Sequence, residues 1–208
     1  MRTEALERYK ALPMPTTTDE SWRFTDLKGF DPDAFAQNGH APGPGPETML
    51  EIDVAGLATV GAGIEIERAP EGIRFEALDE SHPQLGQLVG VDEKFAAQNA
   101  ALWKHGLLVH VPKGVVLEQP LYVRVANPPD GSALFWRLLV VAEPGSRFSI
   151  IEDLSSSDPD LAGYSNAVVE LFVGQDAKVE YVSLQNLARE TWHFASHKAR
   201  VERDAELD

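Results

Sequence analysis

Apolar residues change their spacing along this chain of 208 residues, and the change separates a helical beginning from a strand-rich remainder. From Ala5 to Leu12, apolar side chains recur at near-helical intervals. Pro13 and Pro15 end that run, so the pattern predicts a first helix over about the first dozen residues.

A second helix is predicted shortly before residue 106. Apolar residues from Phe95 to Trp103 follow one another at helical intervals, and Asp92 is the expected N-cap. His105-Gly106 combines a basic residue with a following glycine, which is typical of a helix C-terminus.

From Leu107 onward, short runs of β-branched, aromatic and aliphatic residues replace the helical spacing and predict strands. These runs are 107–111, 121–123, 135–142, 148–151, 168–173 and 179–184. The shorter runs 49–54, 64–66 and 73–75 are separated by Gly and Pro and predict a small, mostly β region before the second helix.

The strand-rich part contains an internal repeat. An apolar strand end followed by a tight polar turn occurs at Val111, Ala142, Val173 and Val201, in steps of 31, 31 and 28 residues. Such spacing without intervening helices is typical of stacked supersecondary units. We therefore predict a mainly β fold, a β-solenoid or parallel β-helix preceded by a small helical and mixed region, with a β-sandwich as the alternative.

These patterns divide the chain into three predicted parts. Residues 1–46 form an N-terminal helical region that ends in the Gly/Pro linker 39–46, because alternating Gly and Pro build neither helix nor ladder. Residues 47–105 form a small mixed subdomain, and 106–208 form the β-helix. The last repeat is incomplete, so we expect the N-terminal portion of a longer chain; the alternative is a short protein capped by a partner.

Composition narrows the classes of function. The absence of cysteine excludes disulfides, thiolate-held metal and a thiol nucleophile in this chain. A net charge of −15 disfavours binding to a phosphate backbone. The longest apolar run, Leu138 to Ala142, is too short to span a bilayer, and the N-terminus lacks a signal-peptide h-region. We expect a cytoplasmic protein that binds neither nucleic acid nor membrane.

Few residues suggest chemistry. His193 and His197 would lie ~13 Å apart on a strand, too far to share one metal ion, so we expect ordinary surface or cleft histidines. The neighbours Glu152 and Asp153 would point to opposite faces of a strand, one to the core and one to solvent. No Walker A sequence occurs, so no ATP hydrolysis by this chain is expected.

Several motifs resemble those of a known family. They are EKFAAQNAALW at 93–103, the segments 106–121 and 137–146, IED at 151–153, NAVVE at 166–170, AKVEY at 177–181, LQN at 184–186 and WRFT at 22–25. Taken in their order along the chain, which they cover nearly completely, these motifs resemble those of the SufB/SufD family of iron–sulfur cluster assembly proteins.

Two positions indicate the branch of the family. Leu154 stands where the SufB branch has cysteine, and Leu187 stands where SufB has an aromatic residue. With the absence of cysteine, they favour the SufD branch. The resemblance implies a right-handed parallel β-helix between an N-terminal helical part and a C-terminal helical part that lies beyond residue 208.

The resemblance also implies a function. This chain would be a non-enzymatic scaffold subunit that pairs with a SufB-like subunit and a SufC-like ATPase, although a homodimer stays open. It would hold no cofactor itself, with flavin and iron binding left open. Arg124 and Gln185 match polar positions that line the SufB β-helix interior, but structural roles are the stronger expectation here.

Two other classes of function remain as alternatives. A β-solenoid carbohydrate-active enzyme would gather carboxylates in one open groove. The acidic residues of the strands fall at different places in the repeat, at Glu152, Asp153, Glu170 and Glu180. The other alternative is a plain protein-interaction module.

Overall fold

The computed structural model describes residues 2–37, 48–126, 129–156 and 158–208, so the predicted linker 39–46 lies outside the described residues. The helices are α1 (Arg2–Ala11) and α2 (Lys94–Leu102), with a 3₁₀ turn at Glu20–Trp22. The strands are β1 (Ala36–Gln37), β2 (Gly56–Val60), β3 (Ile64–Arg68), β4 (Arg74–Ala77), β5 (His105–Val111), β6 (Leu121–Ala126), β7 (Ser132–Ala142), β8 (Arg147–Ser155), β9 (Tyr164–Val173), β10 (Lys178–Asn186), β11 (Trp192–Val201) and β12 (Glu206–Leu207).

The strands form two sheets that the chain visits alternately. The first sheet has the order β11-β9-β7-β5-β4, with β1 beside β7, and the second has the order β12-β10-β8-β6-β2-β3. Neighbours from β5 to β12 pair in parallel, whereas β2–β3 and β4–β5 pair antiparallel. This confirms a mainly β fold with a β-solenoid of about three turns, and the parallel pairing excludes the antiparallel sandwich.

The predicted repeat is the stacking unit of the solenoid. The four predicted strand ends lie in register, Val111 against Ala142, Ala142 against Val173, and Val173 against Val201. Three positions after each strand end, a residue adopts a left-handed backbone, which Gly and Asp tolerate better than most residues. These residues are Gly114 (φ 70°), Gly145 (φ 73°), Asp176 (φ 58°) and Asp204 (φ 59°).

The turns are bonded to one another as well as to their strands. The backbone N–H of Gly114 donates to the Pro144 carbonyl at 3.1 Å, and that of Gly145 donates to the Gln175 carbonyl at 2.9 Å. The Asp176 N–H continues the series into the next turn. A fixed turn length therefore keeps every coil in the same register as the one below.

The solenoid has an interior, which we call the lumen, and two outer faces. Alternate side chains of each strand point into the lumen and form one hydrophobic core, for example Leu134, Leu138 and Val140 of β7. The side chains between them pack outward under α2 and the N-terminal segment in a second, aromatic-rich cluster. Because β7 is buried on both faces, its sequence is apolar except for Ser132 and Arg137 and does not alternate.

The first helix is confirmed, but the second differs from its predicted ends. Glu93, not Asp92, occupies the N-cap position, and Asp92 is exposed near Arg8. The helix ends at Leu102 because His105 and Gly106 already belong to β5. A side chain on Gly106 would lie 3.1 Å from the Arg137 carbonyl, so this glycine permits close strand packing.

Segment 49–54 is not the predicted strand. It crosses the outer face of the second sheet, where its first two backbone N–H groups donate to side chains of that sheet. The strands β2 and β4 join the two solenoid sheets, and the division into three domains stays a prediction. Within the described residues, no helix is long and apolar enough to cross a membrane.

Candidate functional site in the solenoid lumen

Glu152 is an acidic residue inside the apolar lumen. Phe148, Ile150 and Leu154 of the same strand belong to the luminal core, so the alternation of β8 directs Glu152 inward as well. Its neighbours in the second sheet are Val123 of β6 and Ser183 of β10. No charged partner stands beside it in that sheet.

The surroundings keep Glu152 protonated at neutral pH. The residue is 0% exposed, and neither carboxyl oxygen has a hydrogen-bond partner among the described residues. Burial raises its pKa to about 8, because the ionised form would be desolvated without compensation. The group is therefore a neutral carboxylic acid that can both donate and accept a hydrogen bond.

Four further luminal residues bury polar atoms that have no hydrogen-bond partner in the part of the chain that the structure describes. They lie on strands of both sheets, and the atoms are Trp136 Nε1, Ser165 Oγ, Tyr181 OH and His193 Nδ1. Trp136 belongs to the luminal core, and Tyr181 packs against that core. Ser165 and His193 pair across β9 and β11 and point the same way. Native interiors leave few polar atoms unpaired, so this group requires an explanation.

The two histidines lie on strand β11, as the alternation of large and small residues predicted. Their register with Ser165 and Val169 turns both toward the lumen. Burial, and then His197, lower the pKa of His193 to about 4, so its ring is neutral at physiological pH. Burial also lowers the pKa of His197.

The luminal side chains become more polar and more exposed toward strands β10 and β11. Ser183, Gln185 and His197 are exposed on this side, and the Tyr181 ring lies 5.6 Å from the His197 ring in an edge-to-face arrangement. Farther inside, Glu152 is fully covered. The luminal positions of β10 and β11 therefore include several polar side chains, whereas those of β7 from Leu134 to Ala142 are apolar apart from the indole N–H of Trp136.

The structure separates the two residues singled out by the family resemblance. Arg124 lies between the luminal Val123 and Val125 and therefore points to the outer face, not into the interior. There it donates to Thr59 Oγ1 at 3.0 Å and pairs with Glu67. A functional role for Arg124 stays a prediction.

Gln185 occupies a different environment. It shares the luminal side of β10 with Val179 and Tyr181 and pairs with Leu154 of β8. Its side chain is exposed, whereas Leu154 is 1% exposed. A role for Gln185 also stays a prediction.

The expectation of one inward and one outward acid at 152–153 is confirmed for direction but wrong for solvent exposure. Asp153 points outward yet is fully buried, because segment 48–50 covers it. Its carboxylate accepts a hydrogen bond from Tyr122 OH at 2.5 Å and another from the Met49 N–H at 2.8 Å. Burial and Asp153 together raise the pKa of Tyr122 to about 12.

The outer face of the first sheet holds a second buried carboxylate, Glu170, that sequence reasoning did not single out as an anchor. It accepts backbone N–H bonds from Gly86 and Leu88 at 2.7 Å each and from Val89 at 3.1 Å. Arg137 lies 4.0 Å away, and burial lowers the pKa of that guanidinium to about 10. A charge inside the apolar run 168–173 was the available signal.

The acidic residues of the strands do not converge in one groove. Glu152 faces the lumen, Asp153 and the exposed Glu180 face outward from the second sheet, and Glu170 faces outward from the first. In the part of the chain that the structure describes, no group of three or more His, Asp or Glu residues could hold a metal ion.

Comparison with known proteins agrees with the resemblance. Residues 124–208 match the family described as "SUF system FeS cluster assembly, SufBD core domain". An iron–sulfur cluster assembly SufBD family protein of Staphylococcus epidermidis is 30% identical over 154 residues, which cover 70% of this chain and 33% of the relative. Relatives from Staphylococcus haemolyticus and Staphylococcus aureus, with the same coverage, are 30% and 27% identical. The chain thus spans about a third of the length of the curated relatives it matches.

Proposed function

We propose that this chain, which belongs to the SufB/SufD family, is a structural portion of a non-enzymatic scaffold subunit for iron–sulfur cluster assembly in the SUF system. The observation that carries the proposal is the match of the solenoid strands from β6 onward to the SufBD core domain. In this proposal, the subunit works in the cytoplasm with a SufB-like subunit and a SufC-like ATPase.

The stacked architecture supports a scaffold role. A solenoid whose coils are bonded strand to strand and turn to turn offers long, rigid surfaces to partners. Leu154 supports the SufD branch, because a buried aliphatic side chain cannot carry sulfur at the position where SufB has cysteine. The cluster itself is then cargo of the assembly and not a group that this chain holds.

Affinity purification of the full-length natural protein tests the proposal. We expect a tagged full-length protein from its own cells to retain a SufB-like subunit and a SufC-like ATPase, both identified by mass spectrometry. The matched control is the same protein carrying Glu180→Gln, an exposed change that should retain the same partners. Recovery of neither partner with a bait that circular dichroism shows to be folded would overturn the proposal.

A further inference from the structure

Helix α1 is attached to the rest of the protein by few apolar contacts. Of its ten residues only Ala5 and Tyr9 are buried, and five carry a charge. The Tyr9 hydroxyl donates to Asp33 at 3.1 Å and accepts from Gln98 at 3.2 Å. A helix of this length is not stable by itself in water, so α1 exists only while such contacts hold it. Elements with little apolar burial are the ones that open locally.

Lys94, the first residue of α2, makes the central contact with α1. Its Nζ donates to the carbonyl oxygens of Tyr9 at 2.8 Å and of Leu12 at 2.9 Å, and it lies 4.1 Å from the centroid of the Tyr9 ring. Both carbonyls lie at the C-terminal end of α1, where the helix dipole is negative and a cation is stabilising. One ammonium group therefore caps α1 and joins it to α2.

Two ion pairs hold the exposed side of α1. Arg2 pairs with Glu80, and an Arg8 Nη atom lies 3.7 Å from a carboxylate oxygen of Asp92. The four side chains are at least 39% exposed, so dissolved salt screens their attraction. The attachment of α1 should therefore weaken as the ionic strength rises.

The connection that follows α1 contains few bonds that would resist its movement. Pro13 and Pro15 have no backbone N–H, and no backbone hydrogen bond joins residues 13–15 to any other described residue. The chain beyond this connection is anchored, because Trp22 and Phe30 pack in the aromatic-rich cluster on the outer face of the first sheet. Helix α1 can therefore detach at 13–15 while the segment that follows it stays in place.

We propose that α1 is a strap that opens and closes over α2 as one unit while the solenoid stays folded, and that Lys94 is the residue that keeps it closed. Opening at residues 13–15 uncovers the sides of Gln98 and Trp103 that contact Tyr9 and Arg2 in the closed state. The inference is independent of the proposed function, because it uses only the contacts of α1.

Hydrogen–deuterium exchange of the full-length natural protein, followed by mass spectrometry, tests the inference. We expect the hydrogen-bonded amides of α1 to exchange at least about tenfold faster than those of β7. Raising sodium chloride from about 0.05 M to about 0.5 M should accelerate exchange in α1 about threefold and leave β7 unchanged. Exchange in α1 as slow as in β7, or independent of salt, would overturn the proposal.

Substitution of Lys94 tests whether its ammonium group keeps the strap closed. Lys94→Met retains an apolar side chain of similar length but removes the charge and the donors, so exchange in α1 should accelerate about tenfold while β7 is unchanged. Lys94→Arg retains a cation and should accelerate it less. The matched control is Lys104→Met, at an exposed lysine just after the same helix, which should leave α1 unchanged. Exchange in Lys94→Met equal to that of the unmodified protein contradicts the proposal.

Thiol labelling gives a second readout that does not depend on Lys94. A cysteine in place of the buried Ala5 should be labelled at a rate set by the opening of α1, with the labelled peptide identified by mass spectrometry. Ala167→Cys, at a luminal position with 0% exposure, should be labelled only when the solenoid unfolds. Equal labelling rates at the two positions would show that α1 does not open by itself, and the proposal would be wrong.

Discussion

Two buried glutamates show how differently the two sides of one solenoid treat a carboxyl group. Glu170, on the outer face of the first sheet, accepts three backbone hydrogen bonds and lies near Arg137. Glu152, in the lumen, is equally buried, and its carboxyl has no hydrogen-bond partner among residues 2–37, 48–126, 129–156 and 158–208. Burial alone therefore does not decide the state of an acid, since the donors that surround it do.

The difference follows from what each side can supply. Outer faces are crossed by loops, whose free backbone N–H groups are natural donors for a carboxylate. The luminal core of the described residues is built mainly from strands, whose backbone groups are already used in the parallel ladders. A polar side chain placed there must find another luminal side chain or water. Outer carboxylates consequently anchor loops, and the luminal one stays protonated.

The largest effect is expected from Glu170→Ala. The change leaves the buried Arg137 without its acidic partner, although its hydrogen bond to Asn99 remains, and removes the acceptor for the N–H groups of Gly86, Leu88 and Val89. We expect the free energy of unfolding to fall by about 3–5 kcal/mol, measured by urea denaturation. The control Glu180→Ala, at an exposed position, should change it by no more than about 0.5 kcal/mol. Equal effects of the two changes would show that the hydrogen bonds and the ion pair of Glu170 do not stabilise the fold.

Glu152→Gln is expected to raise the free energy of unfolding, by less than Glu170→Ala lowers it. The folded pKa of Glu152 is about 8 against an ordinary 4.5, so between these values the folded state keeps a proton that the unfolded state releases. Stability of the natural protein therefore falls by roughly 1.4 kcal/mol per pH unit as the pH rises through this window. Glutamine does not titrate, so we expect the variant to be more stable by about 3 kcal/mol at pH 7.

The pH dependence of this stability difference tests whether Glu152 is neutral in the folded state. Near pH 4.5 the advantage of Glu152→Gln should almost vanish, and above about pH 8 it should level off. Urea denaturation of both proteins at a series of pH values gives the difference directly. An advantage that does not vary with pH would contradict a neutral Glu152 in the folded state.

The smallest effect compares two tyrosine hydroxyls. Tyr122→Phe removes the donor to Asp153 on the outer face and should lower the free energy of unfolding by about 1–2 kcal/mol. Tyr181→Phe removes a luminal hydroxyl that has no hydrogen-bond partner within the described part of the chain, and it should change the free energy of unfolding by less than about 0.5 kcal/mol. Faster amide exchange at Leu50 is expected only in the first variant, because the Tyr122 hydroxyl accepts the hydrogen bond of that N–H. If Tyr181→Phe lowered the free energy of unfolding more than Tyr122→Phe does, the luminal hydroxyl would be the better bonded of the two, contrary to this expectation.

Local patterns predicted the elements of the solenoid well. The strands, the register of Val111, Ala142 and Val173, and the placement of the paired histidines on a strand are all present in the structure. These features could be predicted from the sequence because strand spacing and turn conformation depend on residues that are neighbours in the chain. The predicted N-cap Asp92 was wrong by one residue, because Glu93 occupies that position, and helix ends are the least sharply defined part of an element.

The candidate site was only partly predictable. Opposite directions for Glu152 and Asp153 follow from strand geometry, but the burial of Asp153 depends on segment 48–50, which lies about a hundred residues earlier in the chain. Arg124 was associated with the interior by family likeness, yet the alternation around Val123 and Val125 turns it outward. Glu170 was noticed as a charge in an apolar strand without any indication of its loop partners.

The sequence by itself determined the repeat, the strand-rich class and the family resemblance, because these depend on the order and spacing of residues along the chain. Only the tertiary structure decided which acids lie inside the solenoid, which lie under loops, and which polar atoms lack a partner. Those properties arise from contacts between coils and from distant segments folded over them. The desolvation that makes Glu152 neutral exists only once neighbouring coils have closed around it.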